Sequence, residues 1–361
     1  MGPSTRYSFH RERFAMYRGR SLPGLQLAWE CWGELNNDKS NAVLLFTGLS
    51  PDAHAASSSL DPDPGWWEAM IGPGRPIDTD RLFVLCINSL GSCKGSTGPA
   101  SINPETGRPW RLSFPELAID DIARAARLVV DELGIEHLHA VIGPSMGGFS
   151  ALAWLKHFPH SSDRLCLIST SCSATPFAIS IRSLQREAIV TDRNFRDGNY
   201  SDDDWPEVGM RIARKLGMIT YRSATEWQQR FGRRHQSYFP ATLFGMRFEV
   251  ESYLETHARK FVGQFDPCSY LYLSRAMDEF NACDSDDSLK SLFRRSFDGK
   301  ALVLGVHSDI LFPLWQQRDL AAALEAVEAD VTFLELDSHK GHDAFLVDSD
   351  LFGPPIAEWL E

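Results

Sequence analysis

Short, nearly continuous apolar runs recur along this chain and predict buried strands. They cover residues 42–46, 82–87, 140–142, 165–168, 301–306 and 331–336. Because apolar and polar positions do not alternate in them, these runs are typical of strands that helices cover on both faces. Helical spacing of apolar residues over 119–133 and 315–329 separates some of the runs. Strands that alternate with helices predict an α/β protein with a mostly parallel sheet.

A long segment between the fourth and fifth apolar runs has a different pattern. It is rich in arginine, aspartate and aromatic residues and has no further run of the strand type. Helical patterns occur over residues 179–189, 208–215, 224–231, 250–261 and 270–280. We therefore predict a sheet core made of residues 1–173 and 301–361, and an inserted helical cap over 174–300 that shapes a substrate pocket.

Composition and charge narrow the possible partners. The 361 residues carry a net charge of −12 without a basic stripe, which argues against a nucleic-acid partner. The seven cysteines are scattered and none belongs to a C-x-x-C pair, so we expect reduced thiols, no metal site and a cytoplasmic protein. No stretch approaches about 18 apolar residues, so we expect no membrane span.

The residues after the third apolar run carry the clearest chemical signal. Gly143, Ser145 and Gly147 form a G-x-S-x-G turn between the predicted strand and a helical pattern over 149–158. In an α/β-hydrolase fold this turn presents a nucleophilic serine at the top of the sheet, and the helix start directs N–H groups at a developing oxyanion. Ordinary strand-to-helix turns also contain these letters, so Ser145 is a candidate nucleophile at this stage.

Candidates for the acid and the base follow the last two apolar runs. In the α/β-hydrolase order the acid comes after the serine, and the histidine comes last. Asp309 and His342 lie in the loops after these runs, where the carboxyl ends of parallel strands place catalytic groups. His339 and His307 compete with His342 by position, and Asp309 could instead cap a helix.

These residue types suit acyl transfer through a covalent intermediate. A serine hydroxyl is a weak nucleophile at neutral pH, so a neutral imidazole must take its proton. The aspartate fixes the imidazole tautomer and stabilises the imidazolium. The backbone N–H of Met146 and one from the early loop 47–50 are the expected oxyanion donors. Hydrolysis of esters or thioesters uses the same groups, and a binding protein without activity could share the scaffold.

Longer motifs that resemble those of a known family occur over nearly the whole chain. The segments GPSMGG, GHDAFLVD, SDILFP, GWWEAMIGPGRPIDTDRLFV and GSTGPASINPETGRPW resemble the homoserine O-acyltransferases of the α/β-hydrolase fold. Three others, FTGLSPDAHAAS, SIRSLQREAI and GMRIARKLGMITYRSA, are more similar to the branch of that family that uses serine and a succinyl donor. The resemblance implies acyl transfer from an acyl-CoA, through acyl-Ser145, to an amino-acid hydroxyl, in a homodimer with cap helices at its interface.

The resemblance also implies which residues hold the substrates. Arg214 matches the position that binds the α-carboxylate of the amino acid, and Asp343 the position that binds its α-ammonium group. Both suit the task, because a guanidinium grips a carboxylate through two hydrogen bonds and a carboxylate binds an ammonium group. Leu49 matches the second oxyanion donor, which agrees with the early loop named above.

Two further features concern the choice of substrates. Arg182, on a predicted cap helix one turn from Arg186, could anchor the free carboxylate of a succinyl group, or it could be a solvated salt-bridge partner. The loop Pro51, Asp52, Ala53 and His54 resembles the serine-using branch and is expected to shape the amino-acid pocket. We therefore expect succinyl-CoA as co-substrate, no cofactor, and L-serine as acceptor in cysteine biosynthesis. Homoserine, with a succinyl or acetyl donor in methionine biosynthesis, stays an alternative.

Overall fold

The computed structural model describes residues 7–201, 203–237, 242–283 and 288–361. The first six residues of the predicted core and residues 202, 238–241 and 284–287 of the predicted cap lie outside the described part. None of the helices in the described ranges combines the length and the apolar character that crossing a membrane requires.

An eight-stranded sheet forms the centre of the molecule. Its strands are β1 (Tyr7–Ala15), β2 (Ser21–Trp32), β3 (Ala42–Phe46), β4 (Phe83–Ile87), β5 (Ala140–Pro144), β6 (Arg164–Ile168), β7 (Lys300–Val306) and β8 (Asp330–Leu336). The spatial order is β1-β2-β4-β3-β5-β6-β7-β8. The pairs β1–β2 and β2–β4 are antiparallel, and all the other pairs are parallel. The six predicted strands correspond to β3–β8, which confirms the mostly parallel sheet.

Burial on both faces explains the continuous apolar runs. In β3, Leu44 and Phe46 belong to the apolar cluster on one face of the sheet, and Val43 and Leu45 to the cluster on the other. Strands β1 and β2 escaped prediction. Strand β1 lies at an edge of the sheet and is mostly exposed and polar, so no apolar run marks it. In β2, which is mostly buried, Gly24, Gln26 and Glu30 interrupt the apolar residues. Two short two-stranded sheets, Ile71–Gly72 with Ile77–Asp78 and Ile102–Asn103 with Arg108–Pro109, lie outside the main sheet.

Helices cover the sheet and fill the long insertion. They are α1 (Ile119–Glu132), α2 (Met146–His157), α3 (Pro176–Val190), α4 (Glu207–Tyr221), α5 (Ala224–Phe231), α6 (Glu249–Phe261), α7 (Pro267–Glu279), α8 (Leu289–Ser296), α9 (Leu314–Glu325), α10 (Ala344–Val347) and α11 (Ser349–Leu360). The five predicted cap helices correspond to α3–α7, between β6 and β7. Helix α8, which the periodicity missed, contacts α2 and α9 beside the sheet. The division of the chain at residues 173 and 300 stays a prediction.

Candidate active site

The turn between β5 and α2 holds Ser145 in an unusual backbone conformation. Its φ is 55° and its ψ is −123°, a combination that L-residues adopt only when the surrounding structure enforces it. A Cβ at Gly143 would lie 2.3 Å from the carbonyl oxygen of Gly147, and one at Gly147 would lie 2.6 Å from that of Phe46. Only glycine lets strand and helix approach so closely, which explains the spacing of the motif.

The three predicted triad residues meet at this turn. Ser145 Oγ is 2.8 Å from His342 Nε2, and His342 Nδ1 is 2.7 Å from Asp309 Oδ2. Because a carboxylate only accepts, Nδ1 carries the proton in neutral His342 and Nε2 is free to accept from the serine hydroxyl. Asp309 Oδ1 also accepts the backbone N–H groups of Leu311 and Phe312. Asp309 therefore caps a turn, as one alternative supposed, and also orients the histidine.

His342 is buried within a ring of aromatic and charged groups. Its imidazole stacks on Phe312 with 5.0 Å between ring centroids and meets Phe345 edge-on. Burial by itself would lower the pKa of His342, but the charge and hydrogen bond of Asp309 and the charge of Asp343 raise that pKa above its ordinary value. The protonated form that arises when the serine is activated is thus stabilised.

The two competing histidines lie elsewhere. His339 and His307 are both exposed, and the His307 ring lies 3.7 Å from Glu335. His339 uses its backbone carbonyl to accept from the Ser223 hydroxyl. Neither contacts Ser145, so the structure selects His342 from the three positional candidates.

The expected oxyanion donors flank the nucleophile. Met146 is the first residue of α2, and the N–H groups of a first helical turn have no partner within the helix. Leu49, after β3, lines the same chamber as Ser145. Met146 therefore adjoins Ser145 at the positive end of helix α2, and Leu49 shares its chamber, while their role as oxyanion donors stays a prediction.

Ser145 opens into a chamber of about 180 Å³ between the sheet and the insertion helices. The predicted residues that line it are Leu49, Pro51, Arg182, Arg214, His342 and Asp343. Residues that sequence reasoning missed also contribute, including Trp66, Ile181, Gln185, Tyr221, Tyr270 and Met277. Most of these lie on α3, α4 and α7, whose approach to the sheet no local pattern encodes.

Arg182 is a buried cation with one unused group. Its Nε lies 2.5 Å from Asp278 Oδ1, while its Nη2 is buried without a hydrogen-bond partner among the described residues. Arg186 binds the same carboxylate, with 2.6 Å between Nη1 and Oδ2, and also the hydroxyl of Ser274. Two guanidinium groups share one carboxylate, which leaves one net positive charge beside the chamber. This arrangement contradicts the alternative that Arg182 is a solvated surface partner.

Arg214 and Asp343 also line the chamber. Arg214 lies over the Phe261 ring at 4.5 Å, and its Nε is buried without a partner within the described ranges. Asp343 is paired with Arg222, with 3.0 Å between Nε and Oδ2, a contact that sequence reasoning did not foresee. Burial raises the pKa of Asp343, and the charge of Arg222 opposes that rise.

The loop 51–54 contributes less to the chamber than expected. Of these four residues, only Pro51 lines the chamber. The expectation that Asp52, Ala53 and His54 also border the amino-acid pocket is therefore wrong. The Ala53 side chain is fully buried, and the Asp52 carbonyl accepts from Trp66 Nε1 at 2.9 Å. His54 faces away, 2.8 Å from Glu30 through Nδ1 and 2.8 Å from the Asp63 carbonyl through Nε2. The loop thus shapes the chamber through Pro51 and through the Asp52 carbonyl, which accepts a hydrogen bond from Trp66.

Within the described residues, no three or more histidine, cysteine or carboxylate side chains gather at a metal-binding distance. Ser145, His342 and the backbone N–H groups of the turn support nucleophilic catalysis through an acyl-serine.

The fold and the triad of Ser145, His342 and Asp309 are those of the alpha/beta hydrolase class. The alpha/beta hydrolase fold family matches residues 41–349, and the chain belongs to that family. The strand–turn–helix at Ser145 and the order serine, aspartate, histidine agree with this membership.

Individual relatives narrow the comparison to acyltransferases. The chain is 55% identical over 348 residues to the serine O-succinyltransferase of Litchfieldella anticariensis, covering 96% of this chain and 95% of that protein. It is 53% identical over 365 residues to the L-serine/homoserine O-acetyltransferase of Streptomyces lavendulae, covering 99% and 97%. The homoserine O-acetyltransferase structure from Bacillus anthracis superposes with a TM-score of 0.92 at 25% identity, over 100% of this chain and 98% of that one. The family resemblance found in the sequence motifs is confirmed.

Proposed function

We propose that this protein is a serine O-succinyltransferase, which moves a succinyl group from succinyl-CoA to the hydroxyl of L-serine. The observation that carries the proposal is the chamber itself. The buried, partly unpaired Arg182, the oppositely charged Arg214 and Asp343, and Ser145 all line this one chamber. A free carboxylate on the acyl group, and the α-carboxylate and α-ammonium groups of an amino acid, are the ligands that these charges suit. Two relatives, at 55% and 54% identity, carry the same activity in their names.

The first half-reaction forms an acyl-enzyme. Ser145 Oγ attacks the thioester carbonyl while His342 Nε2 takes the hydroxyl proton, and Asp309 stabilises the resulting imidazolium. The N–H groups of Met146 and Leu49 hold the oxyanion. The C–S bond then breaks, His342 returns the proton to the sulfur, and free CoA leaves a succinyl ester on Ser145.

The second half-reaction transfers the succinyl group. The hydroxyl of L-serine attacks the ester carbonyl while His342 takes its proton, and the same oxyanion donors hold the intermediate. Collapse releases O-succinyl-L-serine, and His342 gives the proton back to Ser145 Oγ. Arg214 binds the α-carboxylate of serine and Asp343 its α-ammonium group, so the hydroxyl is held near the ester. All required groups belong to this chain, so no cofactor beyond the acyl-CoA co-substrate is needed.

Homoserine and acetyl-CoA are the main competing substrates, because one relative is named for serine and homoserine with an acetyl donor. A pocket that separates two amino acids by one methylene gains only about 1–3 kcal/mol of selectivity. The unpaired Nη2 of Arg182 favours a succinyl donor. Hydrolysis is a third outcome, if water reaches the acyl-enzyme before the amino acid does.

We also propose a homodimer formed through the insertion helices. Helices α3 and α4 pack together and leave large apolar side chains exposed: Leu184 and Val190 on α3, and Val208, Ile212 and Ile219 on α4. A patch of this kind is typical of an interface. The seven free cysteines favour a reducing compartment, and we propose a cytoplasmic location for a CoA-dependent enzyme of cysteine biosynthesis.

The test is an assay of four substrate pairs: L-serine or L-homoserine with succinyl-CoA or acetyl-CoA. We expect O-succinyl-L-serine and free CoA in equal amounts as the dominant products. Ser145→Ala is the control and should abolish both. Dominant transfer to homoserine would reassign the acceptor, and CoA release without an acylated amino acid would reassign the protein as a thioester hydrolase.

A further inference from the structure

A second cavity adjoins the chamber that holds Ser145. It measures about 420 Å³ and shares Arg214, Tyr221 and Asp343 with the chamber as common walls. Cavities that enclose drug-sized molecules span about 300–1,000 Å³, so the 180 Å³ chamber has room for the reacting groups but not for a CoA thioester. The donor molecule must therefore extend out of the chamber into a neighbouring space.

The second cavity is positively charged in an otherwise acidic protein. Lys260 lies at its exposed edge and Arg214 on the wall that faces the chamber, and neither has an ion-pair partner in the described part of the chain. Arg222 also lines the cavity, but Asp343 and Glu226 already pair with it. With a net charge of −12 for the whole chain, this local excess of unpaired cations marks a place where anions are favoured.

His257 reports the same accumulation of charge. It lines the cavity beside Lys260, and its pKa is lowered by burial and by the positive charges of Lys260, Arg230, Arg214 and Arg222. These cations disfavour a further positive charge on His257, so the neutral imidazole keeps one N–H group that can donate to an anion. A bound phosphate would interact favourably with Lys260 and Arg214 beside it.

Aromatic rings complete the cavity. Trp227 and Tyr253 meet edge to face with 6.0 Å between their centroids, and Tyr253 lies 4.1 Å from the His257 ring. Phe261 supports the guanidinium of Arg214 from below. Partly exposed rings beside cations suit a ligand that joins an apolar arm or a flat base to phosphate groups.

We infer that this cavity binds the phosphate-bearing part of coenzyme A, with Lys260 and His257 as phosphate contacts at its edge. The inference rests on the proposed function, in which CoA is the leaving group. In that reaction free CoA departs before the amino acid binds, so Arg214 can first border the CoA arm and later hold the serine carboxylate. The cavity is then the route by which donor enters and CoA leaves.

The test compares ligands with and without phosphates on a protein that cannot turn over. Calorimetry on Ser145→Ala measures the dissociation constants of CoA and of pantetheine, which has the same thiol arm but no phosphate. Lys260→Gln should raise the CoA constant about threefold to fivefold, and Lys260→Glu about tenfold, because the contact is partly exposed. The pantetheine constant should not change, and CoA binding should weaken as salt is added. Lys290→Gln, an exposed lysine on α8, is the matched control.

Two results would overturn the assignment while leaving the proposed function intact. One is unchanged CoA affinity in Lys260→Glu, and the other is an equal loss of affinity for CoA and pantetheine. The proposed function itself fails in a different experiment, when the wild-type protein makes no O-succinyl-L-serine from succinyl-CoA and serine. The substrate assay and the binding measurement thus separate the two failures.

Discussion

The guanidinium of Arg182 is held by the carboxylate of Asp278, with 2.5 Å between Nε and Oδ1. Because Arg186 binds the other carboxylate oxygen, this buried group keeps one net positive charge. Arg182 lines the chamber of Ser145, whereas Arg186 does not. The pair therefore gives a matched test, since removing either arginine leaves Asp278 with a single partner.

Arg182→Gln should change the choice of acyl donor. Losing a charged hydrogen bond to the succinyl carboxylate should lower kcat/KM for succinyl-CoA about 10- to 100-fold, with little effect on acetyl-CoA. Steady-state kinetics with both donors at fixed serine measure this selectivity. Arg186→Gln is the control and should leave the ratio between donors unchanged. A proportional loss with both donors in Arg182→Gln would contradict the anchoring role.

The pH profile should report the environment of His342. The base must be neutral to take the serine proton, so kcat/KM should rise with pH through an apparent pKa above the ordinary histidine value of 6.5. The negative charge of Asp343 favours the imidazolium form of His342. Asp343→Asn should therefore move the rising limb of the pH profile to lower pH. The same variant should raise KM for serine about tenfold, because the ammonium contact is lost.

Glu226→Gln is the matched control for Asp343→Asn. Glu226 also pairs with Arg222, but it lies outside the chamber. Its replacement should therefore leave the pH limb in place. If both variants moved the limb equally, the effect would come from Arg222 and not from Asp343.

His54 should stabilise the protein most strongly at acidic pH. Both of its ring nitrogens face acceptors, Glu30 and the Asp63 carbonyl, which favours the doubly protonated form. Burial opposes this, yet the Asp63 carbonyl and Glu30 raise the pKa of His54 above its ordinary value. The stabilisation is fully present below the unfolded-state pKa and is lost as pH rises through the raised folded-state pKa.

His54→Gln should therefore lower the free energy of unfolding more at pH 5.5 than at pH 9. Urea unfolding at a series of pH values gives the difference curve. His10→Gln, an exposed histidine on β1, should not reproduce that curve. A difference that grows with pH would show that His54 is not held as an imidazolium.

Gly143→Ala should disrupt the turn that carries Ser145. The added Cβ would lie 2.3 Å from the Gly147 carbonyl oxygen and 2.7 Å from the Gly148 Cα, and backbone atoms cannot rotate away. We expect destabilisation by about 2 kcal/mol or more, with loss of activity. At Gly48 the nearest atom to a Cβ is Pro51 Cδ at 3.5 Å, an ordinary contact. Gly48→Ala is the control and should change the free energy of unfolding by less than about 0.5 kcal/mol.

Local patterns were enough to predict the parallel part of the sheet. Strands β3–β7 are buried on both faces, and β8, at the edge, is partly buried. The hydrophobic effect marks each with an apolar run that needs no knowledge of its neighbours. The edge strand β1 is held mainly by backbone pairing to β2. Backbone hydrogen bonds impose little on side-chain identity, and the sequence of β1 therefore carries no such mark.

The contacts between distant residues needed the structure. Asp278 binds Arg182 across 96 positions, and Arg222 binds Asp343 across 121. A carboxylate on an amphipathic helix looks the same in sequence whether it faces water or a buried arginine. The same is true of Lys260 and His257, whose cavity forms only where α4, α5 and α6 meet.

By itself the sequence determined the α/β class, the nucleophile at Ser145 and the order of Asp309 and His342. The glycines at the turn and the loops after the buried strands are local requirements of backbone geometry and burial, so they can be read one segment at a time. Only the tertiary structure decided that His342 and not His339 or His307 meets the serine, and that Pro51 alone of its loop lines the chamber. The same folding leaves Arg182 with an unpaired Nη2 beside Ser145. These outcomes depend on how separate elements pack, which is a property of the whole chain and not of any segment in it.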